Sequence, residues 1–91
     1  MYLEKIDKIR AEASRICIKV LADGMLQQVQ VLEDFIADYR GPSDNFIRGA
    51  IIASVLNINK LTRSVLNNLD LWIDASALLD ELDANRKEVE A

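Results

Sequence analysis

Arg40-Gly41-Pro42-Ser43-Asp44 is the stretch on which the fold of this chain turns. Gly41 suits the position just past a helix C-terminus, and Pro42 has no amide hydrogen with which to extend a helix. Ser43 or Asp44 can then accept hydrogen bonds from the free amides that open the next helix. So short a connection makes the flanking helices antiparallel neighbours.

Downstream of it, Ile47, Ile51, Val55, Ile58, Leu61, Val65, Leu69 and Trp72 recur at a mean spacing close to the ~3.6 residues of a helical turn. Ile52, Leu56 and Leu66 lie about 100° to one side, which widens the apolar arc past what one neighbour covers. This helix is expected to pack on two sides. Asn67-Asn68-Leu69-Asp70 is a possible interruption, with Asp70 able to cap a following helix, and the apolar line otherwise runs on through Trp72, Ala75, Leu79 and Leu82. Residues 85–91 have too little to bury and are expected to fray. Ser54, Asn57, Ser64 and Asn68 form a polar row along one flank, read either as a device that fixes helix register or as the wall of a ligand pocket.

Upstream there are two seams. Tyr2, Ile6, Ile9, Ala13, Ile16 and Val20 form one, and Ile18, Ala22, Met25, Val29, Leu32, Ile36 and Tyr39 form the other. Residues 16 and 18 point about 200° apart on a helix, so a straight helix cannot aim both seams at one partner. The chain either breaks at Ala22-Asp23-Gly24 or continues as one helix over 2–39 whose halves face different neighbours. Continuity is favoured, because Met25-Leu26 resumes the apolar pattern at once, and gives a helix about 57 Å long at about 1.5 Å per residue.

The 91 residues make a single domain that is 51% hydrophobic but only 5% aromatic, with three Gly and one Pro. That composition excludes a disordered chain or a Gly/Pro-rich β-sandwich and points to helices. The fold expected is all-α: an antiparallel helical hairpin of two long or three to four shorter helices, with a loop at 40–44 and a second helical segment over 44–84. Its excess apolar surface is expected to be covered by assembly into a dimeric or higher helical bundle, with Ile47, Ile51, Val55, Ile58, Leu61, Val65 and Trp72 at the interface.

The residue types that are missing bound the chemistry. With no His, the Ser-His and Cys-His pairs that activate a nucleophile near neutral pH cannot form within the chain. The usual zinc sites and the Glu-x-x-His di-iron motif are excluded as well, so no metal and no cofactor is expected. Asp34/Asp38 and Asp70/Asp74 are carboxylate pairs one helical turn apart, without a basic or metal-binding companion. Cys17, between Ile16 and Ile18, reads as a small buried hydrophobe, and a lone Cys gives no intramolecular disulfide. The Met1–Lys8 stretch alternates charge with apolar residues and has no signal-peptide core, and no uninterrupted run is long enough to span a bilayer. A cytoplasmic protein that is not an enzyme is expected.

Charge is unevenly distributed within the net −4. Residues 45–69 contain no acid and three bases, Arg48, Lys60 and Arg63, whereas residues 70–91 contain seven acids and two bases. The acidic total argues against general phosphate-backbone binding. The leading expectation is a protein-protein interaction module, a small acidic helical adaptor, inhibitor or regulator that acts through a helix face on a larger protein partner. Two alternatives stand beside it. Arg40, Ser43, Asn45 and Arg48 surround a helix N-terminus that could hold a small anion or nucleotide, and Arg48, Lys60 and Arg63 could line a nucleic-acid face.

Overall fold

The computed structural model describes residues 2–15, 19–65 and 71–90, with side chains placed for 2–15, 22–64 and 71–86. The chain is all-helical among these residues: α1 (Tyr2–Arg15), α2 (Lys19–Asp38), α3 (Asn45–Val65) and α4 (Ala75–Glu90). Each helix packs on two others, α1 on α2, α2 on α3, α3 on α4 and α4 back on α1, around one core within a body 44 × 22 × 16 Å.

The conflict between the two upstream seams is resolved by a reversal of the chain. Arg10 of α1 pairs with Glu33 of α2, and Leu3 and Ile6 share a groove with Ile36 and Ala37, so the two helices run side by side in opposite directions. A continuous helix over 2–39 would hold Arg10 and Glu33 about 35 Å apart. The expectation of continuity is therefore corrected, and so is the position proposed for a break: Gly24 lies inside α2, which begins at Lys19, and α1 ends at Arg15. The physical reason is burial. With α1 folded back, Ile6, Ile9 and Ala13 share a core with Met25, Val29, Leu32 and Tyr39, and each large aliphatic side chain so buried contributes about 1.5–3 kcal/mol. Cys17 lies outside the described residues.

At the 39–44 connection, Gly41 adopts φ +117°, a conformation L side chains rarely reach, and a Cβ there would stand 3.1 Å from Arg86 Nε. The Gly41 carbonyl accepts the Asp44 amide at 3.0 Å, which closes the turn over Pro42-Ser43. Of the two capping candidates, Asp44 does the work: its Oδ1 accepts the Ile47 amide at 3.3 Å and its carbonyl the Arg48 amide at 3.0 Å.

Between α3 and α4, residues Leu71–Asp74 are non-helical. Asn59, almost wholly buried on α3, pairs with the backbone of this connection twice: Nδ2 donates to the Ile73 carbonyl at 2.8 Å, and Oδ1 accepts the Ile73 amide at 3.0 Å. This side chain replaces the partner that a neighbouring strand would give an extended residue, and it lets Leu71 and Ile73 enter the core while Trp72 turns outward. Asn67-Asn68-Leu69-Asp70 lies outside the described residues. The cap of α4 is Asp74, whose Oδ1 accepts the Ala77 amide at 3.3 Å and whose carbonyl accepts the Leu78 amide at 2.9 Å.

The C-terminal segment corrects another expectation. Rather than ending near residue 84, α4 extends to Glu90. Arg86 donates to the Tyr39 carbonyl at 3.4 Å, tying this part of α4 to the end of α2, and Arg, Lys and Glu are all good helix formers. The start of α1 is tied to α4 in turn, since the Tyr2 amide donates to Glu81 at 2.9 Å.

Candidate functional site

The inner line of α3 is used by the chain itself. Ile51, Val55 and Ile58 are fully buried against the other helices, and Ile47 and Leu61 pack half-buried on the same core. The seam expected to meet a second copy thus turns inward, because α2 and α4 of the same chain already pack on it. The Val65 side chain lies outside the described residues.

What stays outside is the opposite face. Ile52 and Leu56, set about 100° from the inner line, are 40% and 58% exposed, and Phe46, one turn from Gly49 on the same side, is 81% exposed. Gly49 and Ala53 are exposed between them, with no heavy atom within 4 Å of where a Gly49 Cβ would stand. The result is a shallow apolar strip along α3: Phe46, Gly49, Ile52, Ala53 and Leu56. Lys60 and Arg63 continue it toward the C-terminal end, where the Arg63 guanidinium lies 4.8 Å from the centre of the Trp72 ring. Trp72, 44% exposed, is aimed there by the Asn59 pairing with Ile73 and by Lys5, which donates to the Trp72 carbonyl at 3.2 Å. With full aromatic side chains offering roughly 150–250 Å² each, the exposed apolar surface here is on the order of 400 Å², within the ~300–600 Å² of the largest apolar patch on a typical monomer, which is often functional.

The residues considered for an anion site are not brought together. Arg40, Ser43 and Asn45 are exposed around the start of α3, where the Asp44 carboxylate already takes the place an anion would occupy. Arg48 is taken up within the bundle: it donates to the Tyr39 hydroxyl at 2.6 Å and to Asp83 at 3.2 Å, while the Tyr39 hydroxyl donates to Asp83 at 2.5 Å. Burial first, and then the hydrogen bond to Asp83, raise the Tyr39 hydroxyl above the usual phenol range, opposed by the cation of Arg48. Arg48 is held protonated more firmly than usual, chiefly by its hydrogen bond to Tyr39. The triad ties α2, α3 and α4 together at one end of the bundle.

Nor do Arg48, Lys60 and Arg63 form one basic face. Lys60 and Arg63 sit on the outer strip and Arg48 on another side, about 18 Å or more along the axis. Among the described residues no group of three or more Cys, Asp or Glu could hold a metal ion, and no helix is long and apolar enough to cross a membrane.

The polar row also separates. Ser54 is buried, Asn57 is exposed, and Ser64 is exposed and donates to the Lys60 carbonyl at 3.3 Å; Asn68 lies outside the described residues. Asn57, Lys60 and Ser64 line an open groove with Gln28 and Leu61. The polar residue that fixes geometry is Asn59, outside that row. Its signal in the sequence is its place beside Ile58 and one turn from Val55, on the side of the helix that the apolar residues bury. Comparison with protein-family models, curated proteins and solved structures finds no match to this chain.

Proposed function

We propose that this chain is a non-enzymatic protein-interaction module, a small acidic helical adaptor, inhibitor or regulator, whose working surface is the outer face of α3. The observation that carries the reading is the exposed strip Phe46, Ile52 and Leu56, flanked by Trp72 under Arg63, on a bundle whose core is otherwise closed by its own four helices. Large apolar side chains left in water on a regular helix cost free energy that docking recovers, and a helix face with anchors one turn apart is a common way to dock on a protein. The lack of His leaves the chain without the side chain most often used for proton transfer near neutral pH.

The test is affinity capture with the native chain and with Leu56→Glu, followed by mass spectrometry. Leu56 is more than half exposed, so the variant keeps its fold, which circular dichroism checks. Proteins retained by the native chain and lost with Leu56→Glu are the expected result. A capture pattern that is the same for both removes the outer face of α3 as the working surface.

A further inference from the structure

Charge distinguishes the two ends of the outer face of α3. Arg10, Arg15 and Arg48 each have an acid within the chain, Glu33, Glu12 and Asp83 in turn. Lys60 and Arg63, which end the strip, have no acidic partner among the described residues, and residues 45–69 contain no acid at all. Arg63 lies instead over the Trp72 ring, and Lys60 lines an open groove with Gln28, Asn57, Leu61 and Ser64. The side-chain amides of Gln28 and Asn57 can both donate to an oxygen. The groove therefore offers a carboxylate one cation and two neutral donors, and has no carboxylate in its own lining.

The rest of the strip is neutral. Phe46, Ile52 and Leu56 stand exposed over about 15 Å of the axis, and Lys60 and Arg63 follow about 6 and 10 Å beyond Leu56. An occupant that matches both parts is a helix with about three turns of apolar anchors and with acids beyond one end of them. Its direction follows from the helix dipole: acids are most stable in the first turn of a helix, so the partner's N-terminus lies by Lys60 and Arg63 and its chain runs antiparallel to α3. That orientation also sets the positive end of the partner's dipole beside the negative C-terminal end of α3. An anionic bilayer fits less well, because so wide a surface would face the net −4 of the whole body. A single helix meets chiefly the two bases, within the ~8 Å over which surface charges interact in salt.

Resting on the outer face of α3 being the working surface, we propose that this face takes an acidic amphipathic helix of another protein, laid antiparallel to α3, whose apolar anchors cover Phe46, Ile52 and Leu56 and whose N-terminal carboxylates meet Lys60 and Arg63. The apolar anchors hold the partner and the two bases choose it, since charge at the rim of an interface governs selection and encounter more than affinity.

Trp72 is the only tryptophan of the chain and borders the site, so its fluorescence reports occupancy. The probes are helical peptides with about three turns of Leu anchors on a frame of Ala and Gln, opened by one turn of Glu, opened by one turn of Lys, or closed by the turn of Glu at the C-terminus. The Glu-first peptide is expected to shift the Trp72 emission and to bind about tenfold more tightly than the Lys-first peptide at low salt, the effect of two exposed ion pairs replaced by two repulsions. Replacing both bases, Lys60→Glu with Arg63→Glu, is expected to reverse that order with the circular dichroism unchanged, and Leu56→Glu to abolish binding of every peptide. Equal binding of the Glu-first and Lys-first peptides, a preference that survives the charge reversal, or tighter binding of the Glu-last peptide each overturns the proposal. So does an emission shift produced by vesicles of phosphatidylserine and phosphatidylcholine but by no peptide. Peptides that all fail to bind, while Leu56→Glu still loses captured proteins, overturn the acidic helix alone; if capture is also unchanged, both readings fall.

Discussion

Two residues hold more of the structure than their type suggests. Asn59 satisfies both backbone groups of Ile73 from a fully packed position on α3, with the Thr62 hydroxyl donating to its carbonyl at 2.8 Å. Asn59→Ala would leave a buried amide and carbonyl without partners, for a loss of about 2–4 kcal/mol in urea denaturation. Asn59→Asp, which would bury a carboxylate against the Ile73 carbonyl, is expected to lose at least as much. Tyr39 gives a pH signature. Its folded pKa lies above the ordinary value of 10.0, so the stabilisation it brings is complete below about pH 10 and is lost as pH rises through the folded pKa. Ionisation would set a phenolate against the Asp83 carboxylate. Above about pH 10 the denaturation midpoint of the native chain should therefore fall more steeply than that of Tyr39→Phe, and parallel curves would show that the hydroxyl makes no such contribution.

At the scale of the element, the helix boundaries divide by how local their causes are. The α2–α3 connection was legible because Gly41, Pro42 and Asp44 each impose a conformation or supply a bond within a few residues. The start of α4 was less so: the sequence pointed to Asp70 as the cap, whereas the residue that caps α4 is Asp74, which follows directly on the Ile73 that Asn59 holds. Asp74→Ala should cost about 1 kcal/mol and speed amide exchange in the first turn of α4, while Asp74→Ser should keep most of that stability. The α1–α2 reversal carries no such local signal: neither Gly nor Pro occurs between Arg15 and Lys19. Its trace is the mismatch of two seams, which says that both cannot face one partner but not where the chain folds back.

The whole molecule separates stability from surface chemistry along a single helix. Ile58 and Leu56 lie two positions apart on α3, one fully buried and one 58% exposed. Ile58→Ala should lower unfolding free energy by about 2–5 kcal/mol through loss of burial and the cavity left behind, whereas Leu56→Glu should change it by no more than about 0.5 kcal/mol. Equal losses for the two would mean that the outer face of α3 is covered within the folded chain. The sequence by itself determined the all-α class, the apolar seams and the loop after α2, because composition, helical periodicity and Gly-Pro stereochemistry act over a few residues. Tertiary structure decided where α1 folds back, which aspartate caps α4, that Asn59 holds the 71–74 connection, and which apolar line of α3 is core. Those outcomes depend on which side chains compete for one buried volume, and a helix with apolar residues over more than half its circumference does not reveal its inner face until its neighbours are in place.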